Sequence, residues 1–135
     1  MLVEDESVVA MMMAETLIEL GFCVIGPYGT VAEAKAATVK MDIDAAILDI
    51  NLGDELVYPV ADDLQAKGTP LVFVTGYGVE SIDPRYAHVP LLQKPIDRKV
   101  LQDLFVVSST MRAAATQEAR SKAKGEVRQR TVSRL

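Results

Sequence analysis

Five short apolar runs, separated by helix-forming stretches, constrain this chain more than any other feature. They are Leu2-Val3, Phe22-Cys23-Val24-Ile25, Ala45-Ala46-Ile47-Leu48, Leu71-Val72-Phe73-Val74 and the segment from Val89 to Gln93. Most are continuous rather than alternating with polar residues, the pattern of strands covered on both faces. Between them, Val9, Met12, Met13, Thr16, Leu17 and Leu20 recur at three- and four-residue steps, predicting a helix from about Ser7 to Leu20 with Gly21 as its stop. Thr30-Val31-Ala32-Glu33 has the form of a capping box and opens a helix to about Lys40. Pro59 suits the first turn of a third helix ending near Lys67-Gly68. Asp83-Pro84 interrupts any helix between Gly76 and His88, and a last helix starts near Asp97 with Val100, Leu101, Leu104 and Phe105. Strands alternating with helices predict an α/β domain: a doubly wound, five-stranded parallel sheet in a three-layer α/β/α arrangement.

Composition removes several alternatives. A chain of 135 residues that is 50% hydrophobic has material for one core and little room for a second domain. The single Cys23 allows no internal disulfide and no thiolate cluster, and its apolar run predicts a core position. No uninterrupted apolar run approaches the ~18–20 residues of a membrane span. Glu4, Asp5 and Glu6 stand where a leader would carry basic residues, so a cytoplasmic protein without membrane attachment is expected. His88 has no second imidazole or cysteine to share a metal. Met11, Met12 and Met13 read as helix formers. Gly26, Gly29, Gly76 and Gly78 make no phosphate-binding fingerprint.

The net charge of −5 conceals a division. Residues 1–107 carry 17 acidic and 7 basic side chains, a balance of −10, whereas 108–135 carry seven basic and two acidic ones, a balance of +5. The expected organisation is therefore a domain over 1–107 and a basic extension over 108–135, helical at first and then disordered. With no aromatic residues in the extension and an acidic body beside it, a solvated tail is favoured over a nucleic-acid contact.

In a parallel sheet the carboxyl ends of the strands share one edge, where function collects. Here the first strand ends at Glu4-Asp5, the third at Asp49, the fourth at Thr75 and the fifth at Lys94. Three carboxylates brought together repel one another, and one lysine offsets only one charge. A hard divalent cation with oxygen ligands resolves the conflict, and Mg²⁺ fits because it retains waters. The Thr75 hydroxyl and Lys94 ammonium are then placed to hold the peripheral oxygens of a phosphoryl group.

These residues resemble the receiver domain of two-component response regulators, a bacterial signalling family with a flavodoxin-like fold. The likeness covers residues 1 to about 107. It rests on Leu2-Val3-Glu4-Asp5-Glu6, on Ala46-Ile47-Leu48-Asp49-Ile50-Asn51-Leu52, on Val72-Phe73-Val74-Thr75-Gly76, and on Leu91-Leu92-Gln93-Lys94-Pro95-Ile96-Asp97. The resemblance implies that Asp49 accepts a phosphoryl group from a histidine kinase or a histidine phosphotransfer protein. It implies Mg²⁺ held by Asp5, Asp49 and the Asn51 carbonyl, with Glu4 acting mainly through water. It assigns Lys94 and Thr75 to the phosphoryl oxygens and a cis bond to Lys94-Pro95. Without an output domain in view, a stand-alone receiver is expected, a phosphoprotein rather than an enzyme, signalling to a downstream protein of unknown identity or serving as a phosphate relay or sink.

Three features depart from the family pattern. Leu91 stands where a switch aromatic is usual, as in a subclass of single-domain receivers similar to Phe73-Val74-Thr75-Gly76-Tyr77; Tyr77 and Tyr86 are the nearest replacements in sequence. The loop Asn51 to Pro59 lacks the usual proline-glycine turn. Only three residues precede Glu4, so the central first strand is expected to be clipped, as in a late start. Two other functions compete with this one. A haloacid-dehalogenase-type phosphatase would need an acid two residues after the nucleophile, where Asn51 stands, and an acidic pair after the lysine. A receiver-fold binding module that is never phosphorylated would have no need of the intact Glu4, Asp5, Asp49, Thr75 and Lys94 set.

Overall fold

The computed structural model describes residues 1–76 and 82–104. Tyr77, Gly78, Phe105 and the basic extension 108–135 lie outside the described residues. Met1–Leu101 forms one compact unit, and a second begins at Gln102.

The first unit follows the predicted alternation: β1 (Leu2–Val3), α1 (Ser7–Glu19), α2 (Val31–Lys40), β2 (Ala46–Asp49), β3 (Asn51–Leu52), β4 (Glu55–Leu56), α3 (Tyr58–Ala66), β5 (Leu71–Thr75) and β6 (Leu91–Gln93). A final helix begins at 98, where the Asp97 carboxylate accepts the Val100 N–H at 3.0 Å. β1, β2, β5 and β6 form a parallel sheet in that order. Its strands alternate between two cores. Val3, Ala46, Leu48, Leu71 and Phe73 join Val57, Val60, Ala61 and Leu64 in one hydrophobic cluster. The intervening Leu2 and Val74 are equally buried, as are Ala10, Met13 and Leu17 of α1.

The second expected strand, Phe22 to Ile25, takes a different form from the one expected. Leu2 donates to Ile25 O at 2.9 Å and accepts from Tyr28 N–H at 3.0 Å, and Glu4 N–H donates to Tyr28 O at 2.9 Å. The segment therefore lies along β1, but its pairing reduces to one parallel bridge, Val3 with Tyr28. Gly26 and Pro27, joined by a cis peptide bond, interrupt the ladder between these contacts. Pro27 has no N–H to offer. Gly26 (φ 102°) passes so close to β1 that a Cβ would lie 2.6 Å from Leu2 O. The regular sheet thus has four strands, with the fifth position filled by an irregular edge.

Cys23, expected in the core, is exposed on that edge. An apolar run covered on both faces buries every side chain, whereas this edge segment leaves Phe22 and Val24 half-buried and turns Cys23 outward. Met12 is also exposed, at 63%, because α1 buries the stripe Ala10, Met13 and Leu17 instead. The same spacing signal fits two neighbouring stripes, and contact with β1 selects one. Gly21 (φ 97°) ends α1 as expected: its N–H donates to Ile18 O and the Phe22 N–H to Leu17 O, both at 3.0 Å.

The loop after Asp49 contains an antiparallel hairpin, β3–β4, in which Asn51 faces Leu56 and Leu52 faces Glu55. Gly53 (φ 62°) sits first in its two-residue turn, where positive φ is required. Tyr86, in the short 3₁₀ turn Pro84–Tyr86, is buried and stacks on Tyr58 at 5.2 Å, while both rings lie nearly perpendicular to Phe73. Its hydroxyl donates to the Asp62 carboxylate and lies 3.4 Å from Tyr58 O, so Tyr86 belongs to the core between α3 and β5.

Candidate functional site

Strand register assembles the site. Val3 pairs with Leu48, so Glu4 follows β1 beside Asp49, the last residue of β2. Asp49 pairs with Val74, which places Thr75 at the next step on β5. Thr75 pairs with Gln93, and Lys94 follows it. The Lys94 N–H donates to Thr75 O at 2.8 Å, fixing the backbone from which its side chain reaches back. Lys94-Pro95 is a cis peptide bond.

The Lys94 ammonium bridges two carboxylates, with Nζ 2.8 Å from Asp49 Oδ2 and 3.0 Å from Glu4 Oε2. Asp49 Oδ1 accepts the Asn51 N–H at 3.2 Å, and Glu4 Oε1 accepts the Glu6 N–H at 3.1 Å. Asp5 is exposed, yet one carboxylate oxygen from each of Glu4, Asp5 and Asp49 lies within 4.8 Å of the others. Thr75 is fully buried at the strand end. The six residues singled out from the sequence thus meet along one edge of the sheet.

Glu4 is the more deeply buried of the Glu4-Asp5 pair. It is 3% exposed and pairs directly with Lys94. Burial pushes its carboxyl up to about 7, and neighbouring Asp49 adds to the rise, while the bonds from Lys94 and the Glu6 N–H oppose it. Burial acts to lower the Lys94 ammonium, but its bonds to Asp49 and Glu4 outweigh this and hold it above its usual range. Two carboxylates that sit almost out of water and share one ammonium form a site with excess negative charge. That surplus, facing the exposed oxygens of Asp5, fits a small divalent cation.

Two neighbours of the site carried no signal in the sequence. A Cβ on Gly53 would lie 3.9 Å from Asp5 Oδ2, so the hairpin turn stands directly beside the acidic cluster. Glu55 Oε2 accepts the N–H of Val31, 24 residues away, at 3.3 Å. The capping box marked the start of α2, where Thr30 Oγ1 accepts the Glu33 N–H at 3.2 Å, but nothing local pointed to Glu55.

No protein-family model and no curated protein matches the chain. Among solved structures it is similar to SdrG from Sphingomonas melonis Fr1, with 41% identity and a TM-score of 0.70 over 79% of this chain and 92% of that one. It is similar to the BeF3-activated conformation of SdrG from Pseudomonas melonis Fr1, with 42% identity and a TM-score of 0.67 over 78% and 90% of the two chains. A CheY-like response regulator receiver domain from Methylobacillus flagellatus matches at 26% identity and a TM-score of 0.70, covering 79% and 94%. The chain belongs to the receiver domains of response regulators. Among the described residues, no helix is long and apolar enough to cross a membrane.

Proposed function

We propose that this receiver accepts a phosphoryl group on Asp49 from a histidine kinase or a histidine phosphotransfer protein, and that Mg²⁺ is required. The observation that carries the reading is the Asp49 carboxylate held between Lys94 and the Asn51 N–H, beside Glu4 and Asp5. Glu4, Asp5, Asp49 and the main-chain carbonyl of Asn51 would hold the ion, which supplies positive charge to the phosphoryl oxygens when bound. In the transfer, a carboxylate oxygen of Asp49 attacks phosphorus. The phosphorus–nitrogen bond of the donor breaks, and its electron pair stays on the imidazole. Little further covalent chemistry is asked of the protein, so positioning and charge carry the step.

The residues divide that work. Lys94 leaves its pairing with Asp49 to meet a phosphoryl oxygen, and Glu4 keeps the ammonium near the strand edge. The Asn51 N–H orients the carboxylate before attack. Thr75 offers a hydroxyl to a second phosphoryl oxygen, and its shift toward that group alters the β5–β6 side of the domain that partners read. The output is a protein contact or a phosphate relay, without a separate substrate. The BeF3-activated form of the related SdrG supports using beryllofluoride as a mimic here.

Incubation with acetyl phosphate and Mg²⁺ tests the reading. The expected result is one acid-labile phosphoryl group by intact mass, absent in Asp49→Asn. Continuous phosphate release without an accumulated adduct would instead mark a phosphatase, and no reaction at all would mark an inert binding module.

A further inference from the structure

The hairpin after Asp49 is attached to more than its own strand. On one flank of the acidic cluster, the Asn51 N–H bonds Asp49 and the Gly53 turn stands beside Asp5. On the other flank runs the segment leading into α2. Tyr28 O accepts the Glu4 N–H at 2.9 Å, and a Cβ on Gly29 would lie 3.7 Å from Asp5 Cα. The Glu55 carboxylate joins the two flanks through its bond to Val31 N–H. Val31 is the first residue of α2, so its N–H has no acceptor within the helix. A carboxylate there also faces the positive end of the helix dipole. The backbone thereby closes a circuit around the cluster: Glu4-Asp5, Tyr28 to Val31, Glu55, the hairpin and Asp49.

We propose that Glu55 is a positioning residue for this site. Its bond to the start of α2 fixes the hairpin against Asp5 and holds the Asn51 carbonyl and Asp49 at the spacing a cation requires. The hairpin's other anchors, the Val57 N–H to Ile50 O bond and the buried Leu52, secure its base. Glu55 secures the outer strand, β4. The proposal rests on the Mg²⁺ and phosphoryl-transfer reading above, and it adds a residue that touches neither group.

Three proteins test it: wild type, Glu55→Ala and Glu55→Gln, the last retaining an acceptor oxygen. Amide hydrogen exchange without metal reads the latch itself. Val31 and the hairpin amides should exchange faster in Glu55→Ala and at wild-type rates in Glu55→Gln. Titration with Mg²⁺ alone should then give a dissociation constant about three- to tenfold weaker for Glu55→Ala, the range one exposed hydrogen bond supplies, and within about twofold of wild type for Glu55→Gln. The melting temperature should fall by no more than a few degrees in Glu55→Ala, as the loss of one exposed hydrogen bond allows, and stay at the wild-type value in Glu55→Gln. Unchanged exchange in Glu55→Ala overturns the proposal, as does faster exchange with unchanged Mg²⁺ affinity. A glutamine variant as weak as alanine overturns it too, because charge rather than the bond would then be responsible. Those outcomes leave the phosphoryl-transfer reading intact. Wild type that binds no Mg²⁺ and gains no phosphoryl group overturns that reading, and this proposal with it.

Discussion

Replacing Glu4 by glutamine separates the charge of this buried carboxylate from its shape, and the structure sets the size of the effect. With its carboxyl raised from 4.5 to about 7, Glu4 binds a proton more tightly in the folded protein than in the unfolded chain. Its contribution to stability is therefore full below about pH 4.5 and is lost as pH rises through about 7. At about 1.4 kcal/mol per pH unit, discounted for screening by water at the site's open side, the loss is on the order of 1–3 kcal/mol at pH 8. Glutamine resembles the protonated form at every pH and avoids that loss. In low salt with a chelator, the melting temperature of Glu4→Gln relative to wild type should climb between pH 5 and 8. With a few degrees per kcal/mol for a domain of this size, the climb should be about 4–10 °C. Circular dichroism melts at half-unit pH steps measure it, and subtracting wild type cancels the other titrating groups. Saturating Mg²⁺ at pH 8 should close most of the gap by stabilising the ionised wild type. A difference that stays flat across this range would refute the reasoning, because Glu4 would then ionise like a carboxylate in water.

Other perturbations follow from the same geometry. Lys94→Ala leaves Glu4 and Asp49 without their shared ammonium and should cost about 2–4 kcal/mol at pH 8 by urea unfolding, and less at pH 5.5, where Glu4 takes up a proton. Gly26→Ala brings a Cβ within 2.6 Å of Leu2 O and should lower stability by more than about 2 kcal/mol; Gly21→Ala meets open space and should cost only about 1 kcal/mol from its positive φ. Tyr86→Phe keeps the aromatic stack but removes the hydroxyl donating to the Asp62 carboxylate, and should cost about 1–2 kcal/mol in the same assay.

The alternation of strands and helices, the parallel sheet and the set of residues at its edge were legible in the sequence. Those features depend on local signals. Continuous apolar runs announce covered strands, Gly21 and Gly68 stop helices at positive φ, and Thr30 caps one. Glu4, Asp49, Thr75 and Lys94 were legible as a group because residues ending parallel strands share an edge whatever the loops do. Matters of distance across the chain were settled by packing. Whether Phe22 to Ile25 becomes a strand depends on how Gly26 and Pro27 meet β1, and that contact turned Cys23 outward. Whether Met12 or its neighbours face inward depends on the packing of α1. The direct Glu4–Lys94 pair spans 90 residues, and the Glu55 bond joins a hairpin to a helix that precedes it by 24. Periodicity reports which residues avoid water, but a carboxylate's partner is fixed by register and packing, which no local run of residues records.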